Sequence, residues 1–241
     1  MTQDTQAKRT STADAASHVS GSFALLVMAV FLAGAASLVY EIVWIRQLGL
    51  SLGSTAVAFS VMLSAFLGGL ALGGWYMGRR SDLAPFPSMT LVRIEVAAAA
   101  LGVLSIPALA VVGRAYVLIA ITTSGDPLVS LGLRSLVALM VMLAPATLFG
   151  MTFPLATVIG GKLVGAQKAA GTVAAASSFG SAAGALLAGL WFEPAYGLFT
   201  SAAIGAGFNV VAASCALLVH QWAGIHIGAL ATASAPAGAS E

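Results

Sequence analysis

The sequence predicts an all-α integral membrane protein with six transmembrane helices. Three observations carry this prediction. Long apolar stretches fill most of the 241 residues, the apolar fraction is 59% against a charged fraction of 7%, and the few basic residues gather mainly in alternate connecting segments. Soluble domains are about a quarter charged. The hydrocarbon core of a bilayer is ~30 Å thick and an α-helix rises ~1.5 Å per residue, so roughly 20 apolar residues make one crossing. Helices are expected because backbone groups in lipid must satisfy one another within the segment.

The polar start, Met1–Ser22, is rich in Ala, Ser and Thr and is expected to be a disordered cytoplasmic tail. The first span is Phe23–Ile45. Lys8, Arg9 and the small residues Ala33–Ser37 imitate a cleaved leader, but the apolar run continues through Leu38, Val39, Ile42, Val43, Trp44 and Ile45, so a retained helix is expected. The second span, Thr55–Met77, ends at the basic pair Arg79 and Arg80. The third, Val96–Ile121, contains Pro107. The fourth, Ser135–Ile159, has Pro145 and Pro154 on either side of Gly150. Prolines inside spans are read as fixed packing kinks, tolerated where neighbours re-satisfy the freed carbonyls. Thr172–Phe192 and Leu198–His220 complete the six, parted by Glu193, Pro194 and Gly197. The membrane domain is thus 23–220, followed by a cytoplasmic tail over 221–241 whose end, Ala231–Glu241, is expected to be disordered.

Charge placement predicts the orientation. Lys8 and Arg9, Arg79 and Arg80, and Lys162 and Lys168 fall in alternate segments, while the others hold Arg46, Asp126 and Glu193. Basic residues are retained inside, so both termini are expected in the cytoplasm, in a bacterial inner membrane. A net charge of +2 gives no reason to expect nucleic acid. The single cysteine, Cys215, excludes an intrachain disulfide and a thiolate zinc site, and is read as a small apolar residue at a helix contact. No metal or other cofactor is expected. His220 and His226 are placed at or beyond the membrane interface, too far from other ligand types to form a metal site.

Small-residue spacing predicts where helices touch. Gly69 and Gly73, with Gly74 and Gly78, form GxxxG pairs in the second span, and Gly180 and Gly184 form another in the fifth. Such pairs let backbones approach closely. Their positions correspond if the chain is two three-helix units in inverted repeat, the symmetry of one half of a major facilitator transporter.

Ionisable residues inside or beside spans are the candidate polar groups. Glu41 stands near the outer boundary of the first span, and Arg46, Arg114 and Arg134 are placed by topology at a similar depth. A Glu41–Arg134 or Glu41–Arg114 ion pair is expected, with a polar solute site as the functional alternative. Arg93 and Glu95 lie just before the third span, two residues apart on different helix faces, and are expected to engage Arg79, Arg80 and Asp82.

These residues also carry a resemblance. Tyr40-Glu41-Ile-Val-Trp44-Ile-Arg46-Gln-Leu48 followed by Gly53-Ser54 resembles the first-span signature of the membrane domain fused to bacterial spermidine synthase-like proteins. GGWYMGRRSD, from Gly73 to Asp82, is similar to that family's loop after the second span, and to the basic loop of major facilitator transporters. Pro145-Ala-Thr-Leu-Phe-Gly150-Met-Thr-Phe153-Pro154 resembles its fourth span. Gly184-Ala-Leu-Leu-Ala-Gly189 with Pro194 and Gly197 resembles its fifth span and turn. Ala174 and Ser177 stand where the family commonly has tyrosine and asparagine, so those polar roles do not carry over.

The resemblance implies a membrane module without its aminopropyltransferase domain, since nothing after His220 has an alternating strand pattern or a glycine-rich nucleotide turn. A non-enzymatic module is therefore expected, anchoring or serving a separate synthase-like protein or moving a small solute for it. A transporter built from two such halves, as a homo- or hetero-oligomer, and a structural subunit of a larger membrane complex are the alternatives.

Overall fold

The computed structural model describes residues 3–52, 55–122 and 127–233, with side chains for 17–50, 56–111, 114, 129, 131–133 and 135–222. Among the described residues there are no strands. The long helices are α1 (Gln3–Leu52), α2 (Thr55–Arg80), α3 (Pro87–Thr122), α4 (Pro127–Val164), α5 (Ala166–Leu187) and α6 (Glu193–Ala233). A 3₁₀ turn, Ser81–Leu83, follows α2, and a π-helical turn, Ala188–Phe192, joins α5 to α6. The segment expected as an N-terminal tail is helical from Gln3, and its end is packed: Ser22 is buried and the His18 ring meets Trp222 edge-on at 6.2 Å.

Five helical stretches among the described residues are long and apolar enough to cross a membrane: Ser17–Leu50, Ala56–Leu83, Pro87–Val111, Leu131–Val164 and Ala166–Trp222. Six separate stretches were expected. The count differs because no polar segment divides the last: Glu193 is the one Asp, Glu, Lys or Arg between Lys168 and Trp222, and the π-helical turn carries the helix across the expected boundary. Inside that stretch Gly197 is non-helical, with φ 76° and ψ 177°. A positive φ is strained for any side-chain-bearing residue, so glycine is what permits the break.

Touching residues give the helix directions. Phe31 meets Gly180 and Ala35 meets Gly184, so α1 and α5 run the same way. Gly21 meets Trp222, and Val39 and Tyr40 meet Gly205, so α6 runs opposite to α1. The chain therefore reverses between α5 and the main part of α6, where Gly197 breaks the helix. Gly69 lies on Ala146 and Gly73 on Thr147 and Met151, which makes α2 and α4 parallel. Phe23 and Leu26 reach Gly160 while Tyr40 stacks on Phe149, which makes α1 and α4 antiparallel.

The predicted glycines are where backbones come closest. A methyl group at Gly73 would fall on the Thr147 carbonyl oxygen, and one at Gly180 on that of Phe31. In return, Gly150 faces the Leu70 carbonyl and Gly34 that of Ser177. Each seam thus has a glycine on both helices. Gly74 is looser, 3.7 Å from the Gly150 oxygen at its would-be Cβ, and Gly78 faces open space.

The core has two main layers. One surrounds Tyr40, Trp44, Met62, Met142 and Phe149; the other surrounds Leu26, Leu91, Leu155 and Val173. A smaller contact sets Ala29 and Ala33 against Ala212 and Cys215, the helix-contact position expected of the cysteine. Pro107, Pro145 and Pro154 all lie within continuous helices.

Candidate functional site: a buried polar centre beside a cavity

Tyr40, Val43, Trp44 and Leu48 recur every three or four positions along α1, which puts them on one face. All four are buried, whereas Glu41 is half-buried and Arg46 exposed on the other faces. Tyr40 stacks on both Trp44 and Phe149, with ring centroids at 6.1 and 5.7 Å, and those two rings lie 6.5 Å from each other, closing a three-ring cluster. Gly102 of α3 makes room for the Tyr40 ring, since a methyl there would collide with it. The Trp44 indole Nε1–H donates to Ser105 Oγ at 2.7 Å, and Ser105 donates on to the Gly102 carbonyl at 2.6 Å. An aromatic N–H buried in an apolar bundle needs such a partner.

Glu95 is the centre of the polar arrangement. Its Oε1 accepts from the Thr152 hydroxyl of α4 at 2.8 Å, and its Oε2 accepts from the Asn209 amide of α6 at 2.7 Å. Glu95 is 1% exposed and Asn209 fully buried. Tyr40 Oη reaches the Ala99 carbonyl, one turn beyond Glu95 on α3, at 3.5 Å. One carboxylate therefore ties three helices together. The other amide atom, Asn209 Oδ1, is buried with no hydrogen-bond partner.

A cavity of about 360 Å³ opens between α1, α2, α4 and α5. Phe66, Leu70, Phe149 and Phe153 form its apolar walls, and Ser37, Thr152, Ser177 and Ser181 line it with hydroxyls. Ser181 reaches from α5 to the Gly34 carbonyl of α1 at 3.3 Å. Thr152 belongs to both features: it lines the cavity and holds the Glu95 carboxylate. Concave, mostly apolar spaces with a few convergent polar groups are the usual form of small-ligand sites.

The expected ion pairs are rearranged. Among the described residues the salt bridge is Arg46–Glu193, with Arg46 Nε 3.0 Å from Glu193 Oε1, and Glu41 has no arginine within ion-pair range. Arg46 is one and a half turns beyond Glu41 on α1, and the parallel run of α5 along α1 carries Glu193, at the start of α6, to the same end of the bundle. Arg114 is exposed and makes no ion pair among the described residues, so the Glu41–Arg114 expectation is corrected. The side chains of Lys8, Arg9, Arg134 and His226, and all of Asp126, Gly53 and Ser54, lie outside the described residues.

Glu95 does not engage Arg79, Arg80 or Asp82. The apolar stretch begins at Pro87 rather than Val96, so Glu95 is inside it. Arg79 and Arg80 instead stack over Trp75 and Tyr76, each with its guanidinium carbon 4.7 Å from the ring centre, and Arg80 also donates to Tyr76 Oη at 2.9 Å. These arginines cover the aromatic girdle at the helix end. Asp82 is exposed in the 3₁₀ turn. Nearby, Ser88 Oγ lies 3.0 Å from His220 Nδ1, which ties the starts of α3 and the end of the apolar part of α6. Among the described residues no group of three or more His, Cys, Asp and Glu side chains is gathered for a metal.

Sequence reading overlooked Asn209 and Thr152. The available signal was weak: an asparagine in an otherwise apolar α6, and a glutamate placed just outside a span whose start was set too late.

The Arg46–Glu193 pair is half exposed, with the Arg46 side chain 63% accessible and that of Glu193 6%. A double-mutant cycle of Arg46→Ala and Glu193→Gln should therefore give a coupling of about 1 kcal/mol or less, weakening as salt rises. Chemical unfolding in detergent at two salt concentrations measures it.

Comparison with known protein families, with curated proteins and with solved structures finds no match for this chain.

Proposed function

We propose that this chain is a non-catalytic inner-membrane module that crosses the bilayer six times as two inverted three-helix units, with both termini cytoplasmic, and that it moves a small solute for a separate protein partner. The observation that carries this reading is the hydroxyl-lined cavity, with a buried carboxylate behind it, between the four helices joined by glycine seams. A single crossing by Ala166–Trp222 is disfavoured on length, since 57 residues of helix would span ~85 Å, nearly three bilayer cores. The reversal at Gly197 supports two crossings.

The helix contacts support the inverted repeat. Exchanging α1 with α4, α2 with α5 and α3 with α6 turns the α2–α4 seam into the α5–α1 seam, and the α3–α4 contact into the α6–α1 contact. Under the same exchange Gly73 on Thr147 becomes Gly180 on Phe31, and Gly150 on Leu70 becomes Gly34 on Ser177. In transporters of this construction the solute site lies between repeats, near mid-membrane. The resemblance of the first and fourth spans to the spermidine synthase-like membrane domain supports a synthase-like protein as the partner that the solute serves.

Thiol labelling in intact cells tests this reading, starting from a Cys215→Ala background. A charged, membrane-impermeant reagent should label Ser124→Cys from outside and spare Ser11→Cys and Ser234→Cys until the cells are opened. Ser181→Cys, in the cavity wall, should react from one side of the membrane. External labelling at Ser11→Cys or Ser234→Cys rejects the topology. Failure to label Ser181→Cys from either side rejects an aqueous solute cavity and leaves a structural subunit as the better account.

A further inference from the structure

Among the described residues no positive charge answers that of Glu95. It is 1% exposed, and its two hydrogen-bond partners, Thr152 and Asn209, are neutral. The elements packed against α3 are α1, α4 and α6. Their titratable and charged side chains, among the described residues, are His18, Tyr40, Glu41 and Arg46 on α1, Lys162 on α4, and Glu193, Tyr196, Cys215 and His220 on α6. α3 itself contributes Arg93 and Arg114, both exposed. None of the basic groups forms a salt bridge with Glu95: Arg46 is on Glu193, His220 is on Ser88, and Lys162 is exposed. Burying a lone carboxylate is costly unless a cation or a proton neutralises it. Ionisable residues inside membranes recur in proton pathways for this reason.

Two further features concern delivery and storage of such a charge. The Thr152 hydroxyl stands between the cavity and Glu95, and a hydroxyl both donates and accepts. Glu95 itself does not line the cavity, so a bulky cation in the cavity would meet Thr152 first. Asn209 Oδ1 is the unpartnered acceptor, on the same amide whose Nδ2–H₂ donates to Glu95 Oε2. Turning that amide by half a revolution offers an acceptor to a protonated carboxyl in place of a donor to a carboxylate.

We propose that Glu95 is an internal proton-binding site of the bundle, loaded from the cavity through the Thr152 hydroxyl, with the Asn209 amide turning to match each protonation state. This rests on the cavity being watered, as proposed above. In loading, a hydronium ion in the cavity gives a proton to Thr152 Oγ1 while the hydroxyl's own proton passes to Glu95 Oε1, and the protonated carboxyl then turns half a revolution, so that its O–H faces Asn209 and its carbonyl oxygen faces Thr152. The hydroxyl is regenerated, a water molecule remains in the cavity, and the carboxylate becomes the neutral acid. Unloading is the reverse, and no electrons move. Because Glu95 holds α3 to α4 and α6, the change from acceptor to donor alters the contact among three helices at once. That is the coupling a solute-moving module needs between a proton and its conformation.

Infrared spectroscopy of the full chain in lipid vesicles tests the proposal after a pH jump, with the carboxylic C=O stretch as the readout. The wild type should show a band that rises on acidification, and Glu95→Gln should lack it. Thr152→Val should slow the appearance of the band by roughly a hundredfold, the order contributed by a positioned proton carrier, and Thr152→Ser should restore the rate. The threonine variants keep Glu95 in place, so the proposal stays testable if Glu95→Gln fails to fold. Three results overturn it: no Glu95-dependent band over the range where the protein stays folded, equal rates in Thr152→Val and wild type, or a carboxylate signal that follows sodium concentration at fixed pH. Labelling of Ser181→Cys alongside any of these would sink the proton site while leaving the solute cavity standing. Unlabelled Ser181→Cys would sink the cavity first.

Discussion

Replacing Gly180 by alanine is expected to destabilise the folded protein by about 1–3 kcal/mol, the usual cost of an added methyl in a packed interior. The new Cβ would fall on the Phe31 carbonyl oxygen, which belongs to the backbone and can yield only if α1 and α5 move apart. Gly73→Ala should cost a similar amount, because its methyl meets the Thr147 carbonyl in the same way across the α2–α4 seam. In a membrane this separation forfeits van der Waals contact along the whole seam, and no hydrophobic effect between helices compensates. Gly171→Ala and Gly207→Ala are the controls, since nothing lies within 4 Å of either would-be Cβ. They should leave the unfolding midpoint in mild detergent unchanged or slightly raised, as alanine is the better helix former. Equal midpoints for Gly180→Ala and Gly171→Ala would show that the seam is looser than these contacts require.

Trp44→Ala should cost more, about 3–5 kcal/mol, because it empties the largest fully buried side chain from the α1, α3 and α4 contact. The stack with Tyr40 and the hydrogen bond to Ser105 go with it. Ser105→Ala separates these contributions. It keeps the indole in place but leaves a buried N–H without an acceptor, for an expected loss of about 1–3 kcal/mol. Denaturant unfolding followed by near-ultraviolet circular dichroism reads both effects. A Ser105→Ala protein as stable as wild type would mean that the indole N–H finds another acceptor. A Trp44→Ala protein as stable as wild type would mean that the aromatic layer does not hold the bundle.

The two seams and the aromatic layer do different work for the polar centre. Glycine contacts set how close α1 lies to α5 and α2 to α4, and this spacing shapes the cavity between those four helices. The aromatic layer fixes α1 against α3, which sets Tyr40 on the Ala99 carbonyl just beyond Glu95. Glu95 then meets Thr152 and Asn209 with good geometry on both oxygens. A carboxylate held by donors from two other helices is positioned by the fold rather than by its own flexible stem.

Much of this was legible in the residues themselves. Membrane class follows from the number and length of apolar stretches, which is a local property, and the seams follow from glycine spacing at helical period. The inward face of Tyr40, Trp44 and Leu48 is likewise a matter of period within one helix. What tertiary structure decided is which polar groups meet. Glu95 finds Thr152 and Asn209 at separations of 57 and 114 residues, and Arg46 finds Glu193 because α5 runs parallel to α1 and brings the residue after it to the same end of the bundle. Hydropathy places a residue in depth along one helix and carries no information on which helix faces it. It also blurred one boundary, beginning the third span after Glu95. Depth is encoded by composition, whereas rotation about each helix axis and the choice of neighbour are set by side-chain packing between segments far apart in the chain.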